Sequence, residues 1–136
     1  MSDTAEKGLK IFGEVYGRDK EEMCRAMIEN DPDFSALHAK WSMEWAFGTV
    51  WAREGLPRKM RSLAVLGMMI GLKQPEEIKY HTIMGLANGL TRAEIEEIFF
   101  TAMPYCGIPA ANTAKAAMVA AFAEVEEKAG CQAEAG

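Results

Sequence analysis

The sequence predicts an all-α protein, and three observations carry that prediction. No stretch alternates apolar and polar residues with β-branched enrichment, so strand signals are nearly absent. Most segments between glycine and proline punctuation repeat their apolar residues at three- and four-residue spacing. Helix start and stop signals recur along the chain, from Asn30-Asp31-Pro32-Asp33 to Thr91-Arg92-Ala93-Glu94. Together they predict six or seven helices with short loops, arranged as one domain over residues 1–136.

The first helix is predicted from about Lys7 to Tyr16, where Leu9, Phe12, Val15 and Tyr16 share a side and Gly17 stops the chain. A short second helix covers about Lys20 to Glu29 through Met23, Met27 and Ile28. Asp31 then reads as an N-cap with Pro32 at the first helical position. The third helix runs on to about Ala52, with Phe34, Leu37, Trp41, Trp45 and Gly48 as its stripe. Gly55-Leu56-Pro57 separates it from a fourth helix, about Pro57 to Leu72, apolar nearly all round after Arg61. A helix without a polar face is expected to be buried, centrally or at a subunit contact. Pro75 opens the fifth helix with Glu76 and Glu77 at the positive end of the dipole, and Asn88-Gly89 ends it. Thr91 and Glu94 form a capping box for the sixth, whose Ile95, Ile98, Phe99 and Ala102 face inward and which Pro104 closes. The last helix, about Pro109 to Ala129, has an Ala-rich face for close packing, and residues 130–136 read as a frayed tail.

A chain of 136 residues buries about two thirds of its unfolded surface, enough for its own core. With 49% hydrophobic and 26% charged residues, disorder is excluded as the main state. The net charge of −5 argues against nucleic acid or an anionic membrane as principal partner. No apolar run approaches the ~20 residues of a membrane span, and the opening residues do not read as a signal peptide. Cys24, Cys106 and Cys131 are odd in number and far apart, so they suggest neither a disulfide framework nor a zinc site. A reducing, cytoplasmic setting is the simplest reading. The 10 methionines read as adaptable core filler.

His81 is the most informative residue for chemistry. Glu77 lies four residues before it on the same helix face, so the pair reads either as a tuned acid/base or as a surface contact. His38 has no such neighbour and reads as structural. Glu44 sits among Trp41, Trp45 and Phe47, either at the surface or lining a pocket. Arg53, Arg58, Lys59 and Arg61 surround one interhelical turn, which is either an anion site or a solvated helix start. Cys106 has no neighbouring base and reads as a structural thiol. No phosphate loop, nucleophile elbow or convincing set of metal ligands occurs.

Several stretches resemble the carboxymuconolactone decarboxylase family, within the wider AhpD-like (alkylhydroperoxidase D-like) group. The first is Glu44-x-x-Phe47-Gly48-x-Val50-Trp51-x-Arg53-x-Gly55-Leu56-Pro57-Arg58-Lys59-x-Arg61-Ser62-Leu63. Further matches are Gln74-Pro75-Glu76-Glu77-Ile78-x-x-His81-x-x-x-Gly85-Leu86-x-Asn88-Gly89-Leu90-Thr91-Arg92-x-Glu94-Ile95, and Tyr105-Cys106-Gly107-Ile108-Pro109-Ala110-Ala111. The likeness extends back to Gly8-Leu9-Lys10 and Gly13-Glu14-Val15-Tyr16-Gly17. Thiol peroxidases of the wider group carry Cys-x-x-Cys-x-x-x-His, and in that register Gln74 and Glu77 hold the cysteine positions ahead of His81. The upstream glutamate of the peroxidase relay falls at Ser62 by the same offset. The resemblance thus implies a branch without thiol peroxidase chemistry.

What the resemblance implies is an AhpD-like helical fold and cofactor-independent decarboxylation, with no metal. In that branch 4-carboxymuconolactone gives the 3-oxoadipate enol-lactone and carbon dioxide, a step of protocatechuate degradation. His81 is then expected as proton donor, oriented by Glu77 or Glu44. Arg53 and Arg61 are expected to bind the small anionic substrate, with Trp45 and Trp51 as a dry wall. Alternatives within the same fold are a decarboxylase or proton-transfer enzyme for another lactone or oxo-acid, a residual redox protein, and a non-catalytic oligomeric binding protein. The apolar fourth helix and the Ala-rich seventh, with Met118, Val119 and Phe122, predict a homo-oligomer. The resemblance makes it a hexamer.

Overall fold

The computed structural model describes residues 1–135, which form seven α-helices and one π-helical segment, with no strand among them. The elements are α1 (Asp3–Tyr16), α2 (Arg18–Asn30), α3 (Phe34–Trp41), the π-helical segment (Ser42–Trp51), α4 (Arg58–Gly71), α5 (Pro75–Ala87), α6 (Arg92–Cys106) and α7 (Ile108–Ala135). They fall into two compact units, Met1–Pro57 and a second beginning at Arg58. No described helix is long and apolar enough to cross a membrane.

In the first unit α1 lies along the π-helical segment, and α2 packs on α1 and α3. Ser2 caps α1 by accepting the Ala5 N–H at 3.2 Å, so the helix begins four residues before the sequence places it. Gly17, at φ +104°, separates α1 from α2. Ala5, Leu9 and Met43 form the centre of this core, with Phe12, Cys24, Ile28 and Phe47 against it. Phe12 meets Phe47 edge-on, ring centres 5.5 Å apart.

The expected third helix divides in two. Asp33, not Asp31, is the N-cap of α3, because Asp31 Oδ1 is taken up by the Asp33 N–H at 2.9 Å in an Asx turn. From Ser42 the chain widens to i→i+5 hydrogen bonding, and Ala52 N–H closes the last such turn on Phe47 O at 3.1 Å. The expected stripe is largely reversed. Phe34, Leu37, Trp41 and Trp45 are exposed, while Ala36, Met43, Gly48 and Trp51 are buried. The reason is close backbone approach. A Cβ on Gly8 would collide with the Met43 carbonyl oxygen, and one on Gly48 with the Thr4 carbonyl oxygen. Gly48 therefore faces α1, and Phe34, Trp41 and Trp45 point away from this core. His38 is exposed on α3.

In the second unit α4, α5 and α6 pack on α7. Its core joins Leu66 and Ile70 of α4, Ile78 of α5, Ile95 and Ile98 of α6, and Ala114, Met118 and Phe122 of α7. Cys106 sits half-buried at its edge. The capping box of α6 is present in both directions, with Thr91 N–H on Glu94 Oε1 at 3.0 Å and Glu94 N–H on Thr91 Oγ1 at 3.1 Å. Asn88 caps α5 and Gly89, at φ +102°, turns the chain.

Within the single chain α4 buries one stripe, Ser62, Leu66 and Ile70, and leaves Leu63 and Met68 exposed, so its burial is not central all round and the subunit contact stays the other expectation. One expectation is corrected in this unit. Pro104 does not close α6, which continues to Cys106. It removes only its own N–H bond to the carbonyl of Phe100, which the helix survives for two more residues, and Gly107 at φ +91° makes the stop. Residues 130–135 continue α7 as helix, in keeping with their Ala, Glu and Gln content. Gly136 lies outside the described residues.

Candidate functional site

His81 projects from the middle of α5, next to the buried Thr82 and one turn from the buried Ile78 and Met84. Thr82 itself is satisfied within the helix, its hydroxyl donating to Ile78 O at 2.7 Å. The imidazole is only 17% exposed, and its Nε2 lies 3.7 Å from Glu77 Oε2. That is ion-pair range but longer than a hydrogen bond, so Glu77 acts on His81 electrostatically. Glu77 is 52% exposed, and water screens most of its attraction. Burial accordingly dominates and pushes the His81 pKa below the ordinary histidine value, with Glu77 opposing it weakly. Burial thus favours the neutral ring. Its Nδ1 atom is buried and makes no hydrogen bond.

Arg61 is half-buried on α4, with its Nε shielded from solvent. The first turn of α4 also carries Arg58 and Lys59 and contains no acidic residue. Three cations thus gather where the helix dipole is already positive, the opposite of the usual distribution. Lys59 is partly neutralised by Glu94 at 3.1 Å. The structure adds a pair that the sequence did not mark. Asn88 Nδ2 donates to Oγ of the fully buried Ser62 at 2.9 Å, linking α4 to the end of α5. Gly85 lies beside this pair, and a Cβ there would press on Leu90 Cδ1 at 3.0 Å while meeting Ser62 Cβ at an ordinary 3.8 Å. Asn88 was legible only as a helix stop and Ser62 only by its offset from His81, so spacing gave no sign of their contact.

The remaining candidates belong to the first unit. Glu44 opens the π-helical segment half-buried, and its carboxylate accepts the Ser2 hydroxyl at 2.6 Å. Its backbone carbonyl accepts the Thr49 hydroxyl at 2.7 Å. Trp51 is 7% exposed and Trp45 74%, so the two do not form the single dry wall expected of them. The i→i+5 turns put one more residue between them and their hydrogen-bonded neighbours, which breaks a face counted at α-helical spacing. Arg53 is exposed just beyond the segment, its N–H bonded to Val50 O at 3.1 Å. Sequence reasoning missed Ser2, which had no signal beyond being a residue type common at N-caps. Among the described residues no group of three or more His, Cys, Asp or Glu could hold a metal ion.

Comparison with known proteins bears on what such residues do. The model of the "Carboxymuconolactone decarboxylase family" matches residues 36–120. A nitrosuccinic acid decarboxylase of Metarhizium robertsii is 39% identical over 104 residues, covering 76% of this chain and 71% of the relative. A 4-carboxymuconolactone decarboxylase of Acinetobacter baylyi is 33% identical over 108 residues, covering 79% of this chain and 78% of the relative.

Proposed function

The chain belongs to the carboxymuconolactone decarboxylase family and is a carboxy-lyase, and from that premise we propose that it decarboxylates a small organic anion without a cofactor, 4-carboxymuconolactone being the first candidate. The observation that carries this reading is His81, an imidazole shielded from solvent with a carboxylate 3.7 Å away. The cation-rich start of α4 supports the anionic character of the substrate.

The chemistry needs little from the protein. The carbon–carbon bond to the leaving carboxylate breaks, and its electron pair passes through the ring double bond to the lactone carbonyl oxygen. Carbon dioxide departs and a dienolate remains. A proton then adds to the ring carbon beside the carbonyl, giving the enol-lactone with one proton consumed. The substrate is its own electron sink. The protein supplies positive charge for the carboxylate or enolate oxygen, poorly solvated surroundings for the leaving group, and a proton. In the second unit Arg61 takes the first role; Arg53 and Trp51 are the first unit's own candidates for positive charge and for poorly solvated surroundings. His81 takes the third. A substrate carboxylate beside it raises its proton affinity against the effect of burial, so the ring gains a proton as the anion binds and returns it to carbon. Glu77 favours that charged form, and Glu44 is assigned as an orienting carboxylate in the first unit.

The relative named for nitrosuccinic acid favours a second substrate class, a nitro-carboxylate. There the nitro group would accept the electron pair, leaving the demands on the protein unchanged. The test is incubation with each compound, following carbon dioxide release, with His81→Ala as control. Carbon dioxide from one compound, lost in a folded His81→Ala, supports the reading. Equal turnover in that variant removes the role of His81, and no turnover of either compound by folded protein removes both substrates.

The protein is further proposed to be a cytoplasmic homo-oligomer, with the hexamer taken from the family resemblance. The support is the apolar surface each unit exposes, Phe34, Trp41 and Trp45 in the first, Met68, Ile108 and Val119 in the second. The three thiols, none in a disulfide, go with a reducing compartment.

A further inference from the structure

We propose that Ser2 is a positioning residue for Glu44, holding its carboxylate through the start of α1. This rests on the reading above that Glu44 takes part in the site. The Ser2 hydroxyl has one proton, and it is donated to Glu44 Oε1 at 2.6 Å, a charge-assisted bond. The same oxygen accepts the Ala5 N–H at 3.2 Å and so caps α1. One hydroxyl therefore ties the first turn of a helix to a carboxylate 42 residues away. Its orientation is restricted from both sides, because a hydroxyl that accepts from the cap has two directions left for its single proton, and Glu44 takes one of them.

The backbone makes this contact reproducible. α1 meets the π-helical segment at Gly8 and Gly48, where neither helix has room for a Cβ. Met43, whose carbonyl Gly8 touches, immediately precedes Glu44, and Thr4, whose carbonyl Gly48 touches, is two residues from Ser2. The crossing thus sets the register that brings residues 2 and 44 together. On the other side, Thr49 holds the Glu44 carbonyl at 2.7 Å. Glu44 is anchored at its backbone by its own segment and at its carboxylate by α1. A glutamate has three rotatable bonds before its carboxylate, and an unanchored one on a half-exposed turn samples several rotamers.

The capping and positioning roles separate cleanly. Ser2→Asp keeps an acceptor for the Ala5 N–H but has no proton to donate and places a like charge beside Glu44. Ser2→Thr keeps both functions. Ser2→Gly, tolerated at an N-cap, removes the hydroxyl without adding charge. With whichever of 4-carboxymuconolactone and nitrosuccinate the wild type turns over, kcat should fall roughly tenfold in Ser2→Asp and in Ser2→Gly. The melting temperature should stay near wild type, and Ser2→Thr should recover kcat. A kcat unchanged in Ser2→Asp and Ser2→Gly, while Glu44→Gln loses it, overturns the positioning role and leaves the reading of Glu44 standing. Full activity in Glu44→Gln overturns the reading, and this proposal with it. A second readout needs no substrate: the carboxyl carbon resonance of Glu44, assigned by its loss in Glu44→Gln. It should move in Ser2→Asp and Ser2→Gly and stay in Ser2→Thr. An unmoved resonance also overturns the proposal.

Discussion

Gly8→Ala should destabilise the protein although it replaces the poorer helix former by the best one. Position 8 lies mid-way along α1, so helix propensity alone favours alanine by about 1 kcal/mol. Against this, the new Cβ would run into the Met43 carbonyl oxygen and stand 2.9 Å from the Gly48 amide nitrogen. Both obstacles are backbone, so no side chain can swing aside. The helices would have to separate by roughly an ångström, loosening contacts around Leu9, Met43 and Phe47. Overpacking of this kind costs about 1–3 kcal/mol, and the rigid case belongs at the upper end. The net loss is then about 2 kcal/mol, or roughly 5–10 °C in Tm for a chain of this size. The control is Gly67→Ala in α4, where a Cβ meets nothing within 4 Å and the propensity gain should appear unopposed. Both variants and the wild type are compared by thermal and urea unfolding at one protein concentration, because any assembly would make Tm concentration-dependent. A Gly8→Ala protein as stable as wild type, with Gly67→Ala also neutral or better, would refute the close crossing of α1 and the π-helical segment. It would also remove the support that the crossing gives to the Ser2–Glu44 contact.

His81 sets a pH window. Its pKa is lowered in the folded protein, so the unfolded chain binds the proton more tightly, and stability should fall as pH drops through the ordinary histidine value of 6.5. Glu6, Glu94 and Glu124 are held below the ordinary glutamate value of 4.5 by their cationic or capping partners, so their losses begin only lower. Urea midpoints between pH 7.5 and pH 5 should therefore decline in the wild type and flatten in His81→Gln; parallel curves would contradict the burial argument. Arg61→Ala and Arg53→Ala should each raise KM roughly tenfold, the scale of a lost charge-assisted hydrogen bond, with a smaller difference at high salt. An unchanged KM in both would remove the anion-binding role. Light scattering should give a mass that is a multiple of 15.0 kDa, and an active monomer would refute the assembly.

The second unit was largely legible in the sequence because its signals are local. The Thr91–Glu94 box, the Asn88-Gly89 stop and the Pro75 start each lie within a few residues of the structure they specify. Glu77 and His81 were legible together for the same reason, being one turn apart on α5. The sign of the His81 shift was not, since it depends on how deeply the ring sits against how far Glu77 is screened. Spacing places two groups on one face without telling which is wet.

The first unit misled because hydrophobicity and close approach select opposite faces there. A count of large apolar residues at helical spacing turns Phe34, Trp41 and Trp45 inward. Contact between two backbones turns Gly48 toward α1 instead, since only glycine admits it at the crossing point, and Met43 and Trp51 are buried with it. The glycines at 8 and 48 were in plain view, but a glycine in a helical pattern reads as a weak point until its partner across the interface is known. Ser2 and Glu44 follow from the same cause. Their contact spans 42 residues and exists only once the crossing is fixed, so neither residue alone suggests the other. The large aromatics left outside then acquire a meaning of their own. A chain that turns Trp41 and Trp45 outward to let two backbones touch leaves apolar surface exposed, and that surface is the physical ground for expecting a second copy to cover it.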